Sequence, residues 1–235
     1  MPRTVKKSQK SVIKRRERRI IGLFIDGINL DRATKRLQRK IALTSLVQSL
    51  SMGGELAVCR YYTVIPNEDD ARQLAFLDAV SRAGLTVLLK RLPPIGSTRK
   101  VSTNLEMASD ITAFALGCSK FCEEYVYRPA DKRKEPSRPQ SFVSSSRLSI
   151  NPRILGNTDK SLEKGSTLPT DKDTLIKRIA IIVCPEQELA YPISLANELG
   201  VDTVTADFSN PRARNIMKSS AKWIDLSTSE SIWRD

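Results

Sequence analysis

The stretch RIIGLFIDGINL, Arg19 to Leu30, constrains the fold more than any other part of the chain. Ile20 to Ile25 are apolar except for Gly22 and read as a short buried strand, which Asp26-Gly27 ends. Asp26 then stands just past the carboxyl end of a strand. In a parallel sheet that edge binds ligands and metals, and Asn29, on the first turn of the following helix, projects toward the same space. Both residue types also favour helix starts, so the motif by itself supports a capping role equally well.

The rest of the chain alternates in the same way. Leu30, Leu37 and Ile41 mark one side of a helix whose other side carries Arg32, Lys35, Arg36, Arg39 and Lys40. ELAVCRYYTVI, Glu55 to Ile65, is strand-like. Glu68 to Ala83 is helical, with Leu74, Leu77 and Val80 on one face, and Leu85 to Leu89 is a strand. After the loop PPIGSTRK comes a helix from about Asn104 to Glu124, its apolar side formed by Leu105, Ala108, Ile111, Ala115 and Cys118. RIAIIVC, ending at Cys184, is the clearest buried strand; a helix closed by Gly200, the strand VDTVTAD and the short WIDL follow. This order predicts an α/β fold with three layers, a mainly parallel sheet and right-handed crossovers.

The formal charge of +13 points to a polyanionic partner. It is concentrated in two places. Residues 1–19 carry nine Lys and Arg against Glu17 alone, and residues 126–178 carry twelve against six acids, while the remainder is near neutral. Both segments are rich in Ser, Pro and charge, which predicts a disordered basic arm at 1–19 and a disordered basic insertion at about 126–178 within one domain spanning 20–235. The arms also offer surface to protein partners.

Several chemistries are excluded. The chain has no histidine, which removes Ser-His-Asp triads, Cys-His pairs, paired-histidine RNases and histidine-ligated metals. Cys59, Cys118, Cys122 and Cys184 include no Cys-x-x-Cys pair and read as buried reduced thiols in a cytoplasmic protein. No apolar run is long enough to span a membrane. A haloacid-dehalogenase-like phosphatase needs an acid where Ile28 stands, and one Gly27 does not make a dinucleotide-binding turn.

Carboxylates remain. If the first strand and RIAIIVC are sheet neighbours, Asp26 meets Glu186 and Glu188 at the start of the next helix, and Asp110, with Glu106 one turn away, approaches from the side. Such a cluster calls for a cation, and oxygen-only ligands favour magnesium or manganese. Asp26, Asp110 and Glu186 are the candidate metal ligands, and Asn29 and Glu188 complete the candidate catalytic set. Metal-assisted phosphodiester hydrolysis is the matching reaction. Arg32, Lys35, Arg36, Arg39, Arg99 and Lys100 are candidate phosphate contacts.

These residues resemble the NYN domain group of PIN-like nucleases, which includes the LabA-type proteins. FIDGINL is similar to that family's opening strand with its Asp-Gly-x-Asn signature. KVSTNLEMASDITAFALG is similar to its third helix, which carries a further acid at the position of Asp110, and WIDL to its typical ending. IIVCPEQELAYPISLANELGVDTVTA lies where the family usually has Ser-Gly-Asp-Ser-Asp-Phe. Asn104 therefore replaces an acid, and Glu186 and Glu188 replace two aspartates. The resemblance implies a PIN-like Rossmannoid fold and metal-dependent RNA cleavage. A catalytically silent RNA-binding or regulatory module on the same fold is the alternative.

Overall fold

Ile20 to Ile25 do form a buried strand, and it is the centre of the sheet. The computed structural model describes residues 16–51, 53–66, 71–94, 100–129, 174–208 and 214–234. Its strands are β1 (Arg16–Asp26), β2 (Glu55–Ile65), β3 (Thr86–Arg91), β4 (Thr174–Val183), β5 (Asp202–Asp207) and β6 (Lys222–Asp225). All pair in parallel, in the order β3-β2-β1-β4-β5-β6. The helices are α1 (Gly27–Leu37), α2 (Leu43–Ser51), α3 (Ala71–Arg82), α4 (Asn104–Ala115), α5 (Ala190–Glu198) and α6 (Arg214–Ser219).

Parallel strands cannot be joined by tight hairpins, so each connection crosses a face of the sheet and buries its apolar side there. Leu30 and Ala33 of α1, Leu46 and Leu50 of α2, and Leu77 and Val80 of α3 pack on one face with Ile21, Leu23 and Ile25. Met107, Ile111 and Phe114 of α4, Ile193 and Ala196 of α5 and Ile216 of α6 cover the other, against Phe24 and Ile182. The expected three-layer α/β fold is the one observed.

Several boundaries differ from the sequence reading, among them that of α1, which ends at Leu37 with Gln38 at φ +53° rather than running on to Ile41. β1 begins at Arg16 and its register with β4 runs from Arg16↔Thr174 to Ile25↔Val183, so 16–19 and 174–178 are sheet rather than arm and insertion. Val126 and Tyr127, also given to the insertion, pair with β3 through Leu88 and Val87, and residues 1–15 and 130–173 lie outside the described residues. α4 stops at Ala115 instead of Glu124, because Gly117 takes φ +79° and turns the chain away. Its buried face is also rotated from the expected one. Leu105 is 73% exposed and Cys118 is exposed, while Met107, Ile111 and Phe114 point inward. Cys122 is exposed too, so two of the four thiols are not core groups.

The chain direction reverses its progress across the sheet between β1 and β4. Strands β1 to β3 extend to one side and β4 to β6 to the other, leaving a crevice at the carboxyl ends of the central pair.

Candidate functional site

Asp26 closes β1 at that crevice and starts α1. Its Oδ1 accepts the backbone N–H groups of Ile28 and Asn29, both at 3.0 Å, and its Oδ2 accepts from Asn29 Nδ2 at 2.9 Å. The capping role and the edge position therefore coexist in one residue. Gly27 is needed here for space, since a Cβ on it would lie 2.4 Å from the ring of Tyr61. Asp26 is 3% exposed, and burial pushes its carboxyl up to about 6. The backbone N–H of Asn29 opposes that rise, and the charge of Glu186 adds to it.

Glu186 arrives from β4. The chain leaves that strand through Cys184, a buried residue at φ +52°, a left-handed conformation that is strained for a side chain larger than glycine. Glu186 then caps a 3-10 turn, Gln187–Leu189, that leads into α5. Asn104, the first residue of α4, reaches across: its Nδ2 donates to Glu186 Oε2 at 2.8 Å and to Glu188 Oε2 at 2.9 Å. Arg32 donates to Asn29 Oδ1 at 3.1 Å and lies 3.7 Å from Glu186 Oε1. The structure thus joins Asp26, Asn29, Arg32, Asn104, Glu186 and Glu188 into one chain of contacts. Asn104 was not singled out as a site residue from the sequence, where it reads only as the loss of an acid.

Asp110 does not join them, which corrects the expected ligand set. It faces β2, where its Oδ2 accepts Arg60 at 2.8 Å and the Tyr62 hydroxyl at 2.7 Å, all three residues being buried. Arg60 needs this partner because a buried guanidinium without a counter-charge is costly. Glu106 turns to the same side and pairs with Lys90 of β3. Among the described residues, no three His, Cys, Asp or Glu side chains form a metal-holding group.

The basic stripe of α1 is largely committed to the protein itself. Arg36 donates to the Phe208 carbonyl at 2.9 Å, Arg39 binds Glu230 at 2.8 Å and stacks over Trp233, and Lys35 pairs with Asp31 at 2.7 Å. Lys100 is exposed, and Arg99 lies outside the described residues. A further acid escaped the sequence reading. Asp207 ends β5 as Asp26 ends β1, is buried, and is raised by that burial while it accepts the Phe208 N–H and bonds the Cys184 thiol. Its signal was present as an Asp terminating the apolar strand VDTVTAD.

The residues present accept a hard cation only in a reduced form. Asp26 and Glu186 supply oxygen donors whose mutual repulsion a divalent ion would relieve. Magnesium commonly uses one or two carboxylates, with water and substrate phosphate completing its shell.

The NYN domain family profile matches residues 20–122. The fold resembles a crystal structure of a protein of unknown function from Vibrio parahaemolyticus, with a TM-score of 0.57 and 7% identity over 96% of this chain and 100% of that one. No curated protein matches the chain in sequence. No helix among the described residues is long and apolar enough to cross a membrane. The profile match runs from within β1 past the end of α4, includes Asp26, Asn29 and Asn104, and makes residues 20–122 similar to the NYN domain family of PIN-like nucleases.

Proposed function

We propose that the protein is a divalent-metal-dependent ribonuclease whose site is the Asp26 crevice. The observation that carries this reading is the meeting of two carboxylates from adjacent central strands: Asp26 at the end of β1, raised chiefly by its burial and further by the charge of Glu186, which follows β4. Asp26 and Glu186 would hold the cation. When bound, it would activate water and offset charge developing on the phosphate. Asn29 keeps the Asp26 carboxylate turned to the crevice, and Asn104 holds Glu186 and Glu188 side by side. Arg32 is 69% exposed in its side chain and stands beside Glu186, where it can donate to a non-bridging phosphate oxygen. Lys100 supplies a further exposed cation for the strand.

One observation favours the silent RNA-binding module instead. The Asn104 amide already satisfies both glutamates without a cation. Cleavage of a mixed RNA pool by the purified full chain, with magnesium or manganese against EDTA, separates the two. The nuclease reading expects metal-dependent products that Glu186→Gln abolishes. RNA binding with no cleavage under either metal would establish the silent module.

A further inference from the structure

A cavity of about 640 Å³ opens between α1 and α3, away from the carboxylate cluster, and its lining is not that of a packing defect. Its floor is Tyr61, whose ring packs against Gly27 on one side and edge-on to Phe76, at 6.2 Å between centroids, on the other. Phe76 is 49% exposed, although its place on a helix with a clear apolar face reads as core. Thr34 of α1 and Gln38 just past its end add hydrogen-bonding groups. At one end stand Lys40 and Arg234. The Arg234 N–H donates to the Lys40 carbonyl at 2.8 Å, and Ile41 bridges Trp233, so backbone contacts hold the two basic residues side by side on the cavity's lining. Neither forms an ion pair among the described residues, whereas Lys35 and Arg39 on the same rim are taken by Asp31 and Glu230.

An exposed aromatic ring, a few convergent polar groups and two adjacent unpaired cations match the parts of one nucleotide: a base, its polar edge and a phosphate. Like charges held together by the backbone favour an anion between them. An apolar ligand would leave both cations unused, and a basic peptide would be repelled. We infer that this cavity is a nucleotide subsite that seats one unpaired base of the RNA on Phe76 and its phosphate between Lys40 and Arg234. The inference rests on RNA being the ligand of the Asp26 crevice, and it extends the substrate to single-stranded RNA passing along α1.

The test is an NMR titration of the full chain in EDTA with the four nucleoside 5′-monophosphates and with inorganic phosphate. The expected result is perturbation around Phe76 and Tyr61 by the nucleotides, with affinity lowered about 5- to 150-fold by Phe76→Ala, the range expected for one stacked base. Lys40→Gln with Arg234→Gln should reduce the salt dependence, while Asp26→Asn should bind as the wild type does. These residues are exposed, so the variants retain the fold, which their spectra verify. Binding unaffected by Phe76→Ala, equal response to inorganic phosphate, or self-association of the chain through this face would each overturn the subsite. The titration uses no cleavage, so a protein that binds nucleotides here but never cuts RNA would refute the nuclease reading alone.

Discussion

Asp26→Asn should make the metal-free protein more stable at neutral pH while removing its proposed activity. The carboxyl is raised from 3.8 to about 6, chiefly by burial. Below pH 3.8 it is protonated in both folded and unfolded chains, so it then costs nothing. As pH rises from 3.8 through 6 the unfolded chain ionises first, and stability is lost until the folded carboxyl ionises as well. At about 1.4 kcal/mol per pH unit, the full loss above pH 6 is about 3 kcal/mol. Asparagine carries no such cost and keeps an oxygen for the Ile28 and Asn29 N–H groups. Its new amide faces the Asn29 amide, which must turn over and give up its bond from Arg32, a loss of about 1 kcal/mol. The net gain is about 2 kcal/mol at pH 7–8, or roughly 4–8 °C in Tm for a domain of this size. Thermal unfolding in EDTA from pH 4 to 8 measures it. A variant no more stable than wild type at pH 7.5, or a difference that does not grow between pH 4 and 7, would refute the reasoning. Adding manganese should stabilise the wild type and leave the variant unmoved.

Other perturbations separate the site from its support. Asp110→Ala strands Arg60 in the interior and should cost about 3–5 kcal/mol in denaturant unfolding. An activity loss with unchanged stability would instead return Asp110 to the active site. Gly27→Ala places a methyl against the Tyr61 ring and should cost about 1–3 kcal/mol despite alanine's better helix propensity; a stabilised variant would show that the ring moves freely. Asn104→Asp sets a third carboxylate beside Glu186 and Glu188, so it should lower Tm in EDTA and enlarge the rise on adding manganese. The same Tm change with and without manganese would exclude Asn104 from the cation's surroundings.

The parts of this fold that were legible in the sequence are those fixed by short-range patterns. Ile20 to Ile25 and the RIAIIVC strand are apolar on both faces, which only central strands can bury; their adjacency was the condition for Asp26 to meet Glu186, and β1 and β4 do pair. Asp110 was misplaced because its environment is set from 50 residues away: nothing in the α4 sequence tells that Arg60, within an otherwise apolar strand, needs a buried counter-charge. Helical phase held only in part of the same element: Ile111 and Ala115 face inward as expected, while Met107 and Phe114 are buried in place of Leu105 and Cys118. The stripe on α1, given from the sequence as a set of candidate phosphate contacts, is a surface whose middle is engaged within the protein. Arg36 and Arg39 are claimed by Phe208 and Glu230, groups that the order of the strands brings to α1 from the far end of the chain. Once those claims are counted, the cations left for an anionic ligand are not in the middle of the stripe. They stand at its two ends, with Arg32 beside the carboxylates and Lys40 with Arg234 at the cavity, so a strand bound to both would lie along α1 rather than across the sheet edge.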